Sequence, residues 1–317
     1  MVRRSPRVRR LLTLGALSLM AMSPARAQYG VWRADSLLAA GRLTLAESAY
    51  FATSRAYPRD PRARSALGNF LAARGGVIAG IVLLEEARDF GGDPSAIARA
   101  LAPLYARQRD YAKLLGLVPQ VLSPAQRRQA EWLQEHPPEA SLPDSVVLVS
   151  YRVTPDGGIG ALAIRVGRTG MNATIDPRVS GLILPTPTPE LRSFGADGQL
   201  TLAVAPVIRV GAATLTNVPT TIGNTDDVRI GFDVLSRLSP TFDPVRGTLL
   251  LRREIPPHTN VPVVAGTHVP ALFDTNGLRL LFGGKWNPAT GDMATMLLAS
   301  RPWTWDSKRG DVVLLTP

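Results

Sequence analysis

Two aspartates stand where this chain could do chemistry. In "ATIDPRVSGLILP", residues 173–185, Asp176 ends one apolar run and a turn leads into a second. In "VPVVAGTHVPALFDTNGLRLLF", residues 261–282, Asp274 closes a strand-turn-strand pattern in the same way. A carboxylate delivered at the end of a buried strand can act as a general acid or base, because burial and neighbouring charges set its pKa. Other chemistry is poorly supplied. The chain has no cysteine, which excludes disulfides, thiol nucleophiles and thiolate metal sites. His136, His258 and His268 fall in linker or turn contexts without ligand spacing, so no metal site is expected. Neither a Gly-x-Ser-x-Gly elbow nor a P-loop occurs. "GGIGALA" nearly fits a dinucleotide fingerprint, but it lies between strands with no helix to follow, so it reads as a hairpin turn and no cofactor is expected.

The elements that must position these aspartates change character along the chain. From residue 146 onward the hydrophobic period is two. "VVLVSYRV", "ALAIRV", "LTLAVAPVIRV" and "TLLLRR" read as strands separated by "PDGG", "GRTG", "GADG" and "VRG" turns, which makes 146–317 an all-β region. Trp303 and Trp305 alternate about Thr304 and share one strand face, as core or interface residues do. Residues 28–136 instead repeat their apolar residues every three or four positions, as in "ADSLLAAGRLTLAESAYFATSRAY", and read as helices. Asp60-Pro61 and Asp93-Pro94, 33 residues apart, look like helix starts with an aspartate cap and proline in the first turn. Gly41 and Gly75 lie 34 apart, and "LAAR" at 71–74 returns as "LYAR" at 104–107. Residues 137–145, within the proline-bearing "QEHPPEASLPDS", form the linker.

The spacing and residues of "LLAAGRLTLAESAYFATSRAYPRDPRA" resemble the tetratricopeptide family, with small Gly41 and Ala46 where helices approach and Tyr50 packing between them. That resemblance implies helical hairpins that either bind a partner or serve as a spacer. In the β region, "LAIRVGRTGMNATIDPRVSGLILP" is strand, tight turn, strand and Asp176. "LTLAVAPVIRVGAATLTNVPTTIG" follows, then "VRIGFDVLSRLSPTFDPVRGTLLLR", in which Ile230-Gly231 leads a short helix and a closing strand. Residues 165–253 thereby resemble the retropepsin-like aspartic peptidases, whose Asp-Thr-Gly-Ala-Ser loop and later apolar-Gly element stand in this order. A second echo extends the likeness. "PTFDPVRGTLLL" and "WTWDSKRGDVVLL" align at an offset of 63, matching Thr241 to Thr304, Asp243 to Asp306 and Arg246-Gly247 to Arg309-Gly310.

The resemblance implies a fold of two parts. N-terminal tetratricopeptide-like hairpins at 28–136 precede an all-β acid-protease-like barrel, with one full lobe at 146–253 and a shortened second lobe at 254–317. In peptidases of this kind two carboxylates share a proton and activate water, and the resemblance assigns those roles to Asp176 and Asp274. Ser180, Thr275, Gly277, Ile230 and Gly231 match supporting positions, although Gly277 arrives one place late and "MLLASR" stands where a second apolar-Gly element belongs. Pro177 and Arg178 depart from the pattern. Pro177 supplies neither hydroxyl nor N–H and pushes Asp176 toward extended geometry. Arg178 would be strained if its position were left-handed, and its guanidinium would lower the Asp176 pKa. Ser180 remains able to hydrogen-bond Asp176.

The first 27 residues read as a secretory signal peptide: "MVRRSPRVRR", then the apolar "LLTLGALSLMAM", then "SPARA", with cleavage before Gln28. They carry six arginines and no acid, so the formal charge of +11 falls to +5 beyond them, spread without a basic block. Nucleic acid is therefore not an expected partner, and no stable membrane span is expected after cleavage. The expectation is an exported protein, periplasmic or extracellular, with a degenerate retropepsin-like domain that binds a peptide or protein. The alternatives are an active endopeptidase, using Asp176 with Asp274 or a homodimeric pair of Asp176 loops, and a structural spacer.

Overall fold

The computed structural model describes residues 25–153, 159–223, 225–253, 266–274, 277–306 and 309–315. The leader up to residue 24, the "PDGG" turn, His258 and Thr275 lie outside these described residues. Among them no helix is long and apolar enough to cross a membrane. Helix α1 covers residues 25–39, so the cleavage point expected before Gln28 falls inside a helix.

An N-terminal helical region leads into a β-barrel domain. After α1 come α2 (Leu43–Ala56), α3 (Pro61–Ala73), α4 (Val77–Asp89), α5 (Pro94–Gln108), α6 (Tyr111–Leu115) and α7 (Pro124–Glu135). The Asp-Pro pairs act as their residue types dictate. Asp60 accepts from the Arg62 and Ala63 N–H groups at 2.9 and 3.0 Å, and Asp93 from Ser95 and Ala96 at 2.9 and 3.3 Å. Pro61 and Pro94 then occupy the first helical position, where a missing N–H is harmless. Helices α3 and α4 approach closely at Gly68 and Gly80, where a Cβ on Gly80 would come within 2.7 Å of the Ala72 Cβ. Tyr50 is buried and stacks on Phe70 with ring centroids 4.8 Å apart. Gly41 serves a different contact from the expected one. It turns the chain between α1 and α2 at φ +72°, and a Cβ there would meet the Gly284 carbonyl at 2.7 Å, so its smallness admits the β domain rather than a helix.

The β domain runs β1 (Glu139–Ser141), β2 (Val146–Arg152), β3 (Gly160–Val166), β4 (Thr169–Asp176), β5 (Leu182–Leu184), β6 (Arg192–Asp197), β7 (Leu200–Val210), β8 (Ala213–Ile222) and β9 (Arg229–Gly231). It continues through α8 (Phe232–Leu235), β10 (Thr241–Asp243), β11 (Thr248–Arg252), β12 (Gly266–Asp274), β13 (Gly277–Phe282), β14 (Lys285–Pro288), α9 (Asp292–Ala299), β15 (Trp303–Asp306) and β16 (Asp311–Leu315). Residues 137–145 are therefore more than a linker, since β1 pairs with β8 and gives its backbone groups partners. The strands join in the order β14-β13-β12-β16-β15-β10-β11-β2-β3-β4-β9-β5-β8-β7-β6.

A local two-fold relates the two sides of this path. Strands β10 and β15 pair antiparallel with Thr241 opposite Thr304, the corresponding residues of the sequence echo. Fully buried Phe242 and Trp303 stack beside that axis at 4.2 Å. The echoed turns match as well: Asp243 accepts from the Arg246 N–H at 3.0 Å and Asp306 from the Arg309 N–H at 3.3 Å, with Gly247 and Gly310 both at φ +65°. Outward from the axis the registers keep step. Thr248 of β11 faces Ser150 of β2, and Asp311 of β16 faces Pro270 of β12. Tyr151 then faces Leu162 of β3, as Ala271 faces Leu280 of β13. Finally Leu162 faces Ala173 of β4, as Leu280 faces Asn287 of β14. Strand β14 is thus the counterpart of β4.

The helical region is docked on this sheet. Arg74, at the end of α3, donates to the carbonyls of Ala271 (2.7 Å), Arg309 (2.7 Å) and Gly310, and to Asp311 Oδ1 at 3.0 Å. Helix α7 lies on the β6–β7 hairpin: Arg128 donates to the Phe194 carbonyl at 2.7 and 3.0 Å, and Gln129 to that of Ala203 at 2.7 Å. Losing the Arg74 fork would take one donor from each of three carbonyls and from Asp311, leaving the Gly310 carbonyl only the Ala271 N–H at 3.0 Å and the Asp311 carboxylate His268 Nδ1 at 3.4 Å. Arg74→Ala is predicted to lower unfolding stability by about 2–4 kcal/mol in urea titrations. Arg74→Lys should recover only part of it, because an ammonium cannot fork to four acceptors.

Candidate functional site

Asp176 is the last residue of β4. Strand β9 runs parallel beside it with Gly231 opposite Asp176, and antiparallel to β5 on its other side. The chain therefore leaves β4 at Asp176, loops through 177–181 and returns as β5 beyond an inserted strand. So close an insertion requires bare backbone. A Cβ on Gly231 would lie 2.6 Å from the Val179 carbonyl oxygen and 3.0 Å from the Gly181 nitrogen, while the Gly231 N–H donates to the Gly181 carbonyl at 2.7 Å. Ile230, fully buried, holds the strand to the core.

The Asp176 side chain is 2 % exposed as a residue and is surrounded by donors. Its Oδ1 accepts from the Arg178 N–H and Nε, both at 2.9 Å, and its Oδ2 from Arg178 Nη2 at 2.7 Å and Arg229 Nη1 at 3.4 Å. Burial pushes the carboxyl up. The Arg178 guanidinium and N–H, helped by the Arg229 charge, outweigh that and hold it below the usual carboxylate range. The backbone strain anticipated at Arg178 is absent, since the positive-φ non-glycine residues among those described are Arg109, Asn217 and Ser239. The carboxylate accepting an N–H two residues on makes an Asx turn, which needs no left-handed residue at that place.

Ser180 does not reach Asp176. Its hydroxyl donates to Asp233 Oδ2 at 2.8 Å, and the Gly181 N–H donates to the same carboxylate at 3.1 and 3.2 Å. Asp233, in α8, is a site residue that sequence reasoning passed over. Its signal is an acid at the start of a short helix, directly after the tight glycine. Arg107 reaches the same neighbourhood from α5. Its guanidinium lies 5.1 Å from the Phe273 ring centroid, where burial lowers its pKa and the Asp233 charge pushes back.

The hairpin that carries Asp274 meets the Asp176 loop, but Asp274 does not mirror Asp176. Gly277 (φ +88°) presses on the turn, and a Cβ there would lie 2.9 Å from the Arg178 side chain and 3.0 Å from the Pro177 carbonyl oxygen. Asp274 itself stands opposite Gly277 at the tip of the β12–β13 hairpin and is ion-paired with Arg279. By the register that makes β14 the counterpart of β4, this tip corresponds to the β2–β3 connection. The residue corresponding to Asp176 is Thr290, three places beyond Asn287 as Asp176 is beyond Ala173. The expected equivalence of the two aspartates is corrected accordingly: Gly266–Asp274 is one continuous strand where the sequence suggested two. Among the described residues no three His, Asp or Glu side chains are grouped closely enough to hold a metal ion.

No family model matches this chain, and no curated protein matches it. A solved structure described as a retropepsin-like aspartic protease from Rickettsia conorii is similar over 37% of this chain and 93% of its own, at 15% identity and a TM-score of 0.27. The strand order and hydrogen bonds given above define the site independently of that slight likeness.

The lowered Asp176 pKa fixes the sign of a pH effect. Its ion pairs stabilise the fold above the unfolded carboxyl pKa of about 4, and that stability fades as pH falls through the lower folded value. Asp176→Asn leaves two guanidinium groups without their anion. It should be less stable than the parent at neutral pH, with the gap in urea midpoints narrowing in strong acid. Arg178→Ala should raise the Asp176 pKa, read by NMR titration of the side-chain carboxyl; an unmoved or lowered pKa would contradict the assignment.

Proposed function

We propose that this is an exported protein whose β domain keeps the frame of a retropepsin-like acid-protease barrel, with a full lobe at 146–253 and a shortened lobe at 254–317. In this reading the frame binds a peptide or protein and does not cut it. The observation that carries the reading is Thr290 standing at the position corresponding to Asp176 across the local two-fold. Hydrolysis by an aspartate pair needs two carboxylates sharing one proton. Here one partner is a hydroxyl, and the remaining carboxylate is held ionised by Arg178.

The peptidase alternatives find less support. Asp274 lies at a hairpin tip and is paired with Arg279. A homodimer joining two Asp176 loops through β10 would have to displace β15, which already occupies that edge within the same chain. For the helical region, the 33-residue spacing of capped helices supports tetratricopeptide-like hairpins acting as an interaction surface. Ile78 and Val82, one turn apart on α4, are 69 % and 47 % exposed, as apolar anchors for a protein partner would be. The basic leader and its short apolar core support export.

The test is digestion of casein by the purified mature protein across acid pH. Release of peptides should not exceed the blank, and Asp176→Asn should behave as the parent does. Acid-optimal cleavage that disappears in Asp176→Asn and is blocked by a statine-type inhibitor would reclassify the protein as a hydrolase.

A further inference from the structure

A cut after Ala27 makes Gln28 the first residue of the mature chain, and the chemistry below rests on that reading of the leader. Ala27 is fully buried within α1, so the cut has to come before the helix forms, while the chain is still in transit. Gln28 itself is exposed, yet its side-chain amide is fixed: Oε1 accepts from Arg62 Nη1 of α3 at 3.0 Å. The contacts that seat α1 lie beyond the cut. A Cβ on Gly30 would come within 2.5 Å of the Thr53 side chain of α2, and Tyr50 of α2 donates to Asp35 at 2.5 Å. The start of α1 therefore stays against α2 and α3 once residues 25–27 are gone.

A free amine on Gln28 can close on its own side chain. Nitrogens of the first helical turn have no intrahelical acceptor, so the amine is not committed to the helix. It attacks Cδ, the Cδ–Nε2 bond breaks, and ammonia leaves with the proton that the amine loses. The product is a five-membered lactam; nothing is oxidised or reduced, and no co-reactant is needed. Arg62 assists at the atom where charge develops. In the tetrahedral intermediate Oε1 becomes negative, and a guanidinium already bonded to that oxygen stabilises it. The Arg62 charge and the positive end of α1 also favour the neutral, nucleophilic amine over the ammonium. Asp60, the acid beside Arg62, is occupied as the α3 cap, its Oδ1 accepting from the Arg62 and Ala63 N–H groups. Ring closure removes a positive charge from a helix N-terminus, where it is unfavourable, and the lactam carbonyl can still accept from Arg62.

We propose that Gln28 of the mature chain is a modification site that closes to pyroglutamate, with Arg62 as the residue that polarises its amide. A lactam carries no free amine, so an aminopeptidase cannot start on the chain and the beginning of α1 is preserved. That protection reaches the junction of the two regions, because α1 carries the Leu38 carbonyl to which Trp286 of the β domain donates. The site is separate from the Asp176 loop and stands whether or not that loop is catalytic.

The test is to express the whole chain with its leader in a bacterial host, purify the exported protein and read its N-terminal peptide by mass spectrometry. The peptide should begin at residue 28 and be about 17 Da lighter than its sequence requires, the mass of ammonia. Gln28→Asn, whose shorter side chain could close only to a strained four-membered ring, should begin at the same place and show no loss. Arg62→Gln should slow the growth of the lighter form about threefold in freshly exported protein. Both positions are exposed, so these variants should melt as the parent does and keep the comparison valid. A peptide that begins at residue 28 and keeps its amine through prolonged warming would overturn the proposal and leave the leader reading intact. A peptide that begins elsewhere would overturn the cleavage point and the modification with it, and the first residue read tells the two failures apart. An unchanged rate in Arg62→Gln would overturn the role given to Arg62.

Discussion

The pairing of Thr241 with Thr304 is the contact from which the rest of the β domain follows. Without β15 and its neighbours, β10 would present an open row of backbone donors and acceptors, and an open edge invites pairing with another chain. The second half of the domain closes that edge and is itself too small to bury a sheet alone. Both halves therefore share one core, in which Phe232, Phe242 and Trp303 stack across the junction. Because antiparallel pairing admits one register at a time once its side chains are buried, this junction also decides which residues correspond. The shorter half passes from β14 almost directly into α9, with no counterpart of β5 to β9. Nothing there is inserted as β9 is beside Asp176, and Thr290 stands at the position corresponding to Asp176.

That asymmetry bears on what Asp176 can be. A carboxylate so deeply buried must either take a proton or be paired. A neighbouring carboxylate solves the problem by raising one pKa so that a proton is shared, whereas a guanidinium lowers the pKa and keeps the charge. The two solutions oppose each other, and Arg178 commits this site to the second. Arg229 adds a structural purpose. It opens β9, pairs with Thr174 of β4 and also reaches the Asp176 carboxylate, so the acid ties the inserted strand to the turn it displaces. Asp233 does the same on the other side through Ser180 and Gly181. The buried Asp176 is thus accounted for by the cations and the amide it holds.

What the sequence made legible was local. The capped starts of α3 and α5, the alternating strands and the two Arg-Gly turns each depend on residues within a few positions, and each is found where its residue types predict. Ile230-Gly231 was readable because only glycine tolerates the backbone of 179–181 at such close range. The misread features depend on partners far along the chain. Gly266-Thr267-His268 looked like a turn from composition, yet pairing with β16 holds it extended, so Asp274 ends the first strand of a hairpin instead of the second. Strand β1 hid among prolines because its pairing comes from β8, some seventy residues later. Ser180 was matched to the nearest acid in sequence, while the fold offered it Asp233.

The same distinction governs the helical region, which sequence alone presented as a separable arm. Arg74 and Arg128 end on backbone carbonyls of the β domain, Gln129 does likewise, and Trp286 returns a hydrogen bond to the Leu38 carbonyl at 2.5 Å. Carbonyls are fixed by strand geometry, so these contacts hold one docked arrangement and leave little freedom to swing. A partner of the helices would then be confined to their outward surface, where Ile78 and Val82 are exposed, since the inner surface belongs to the fold.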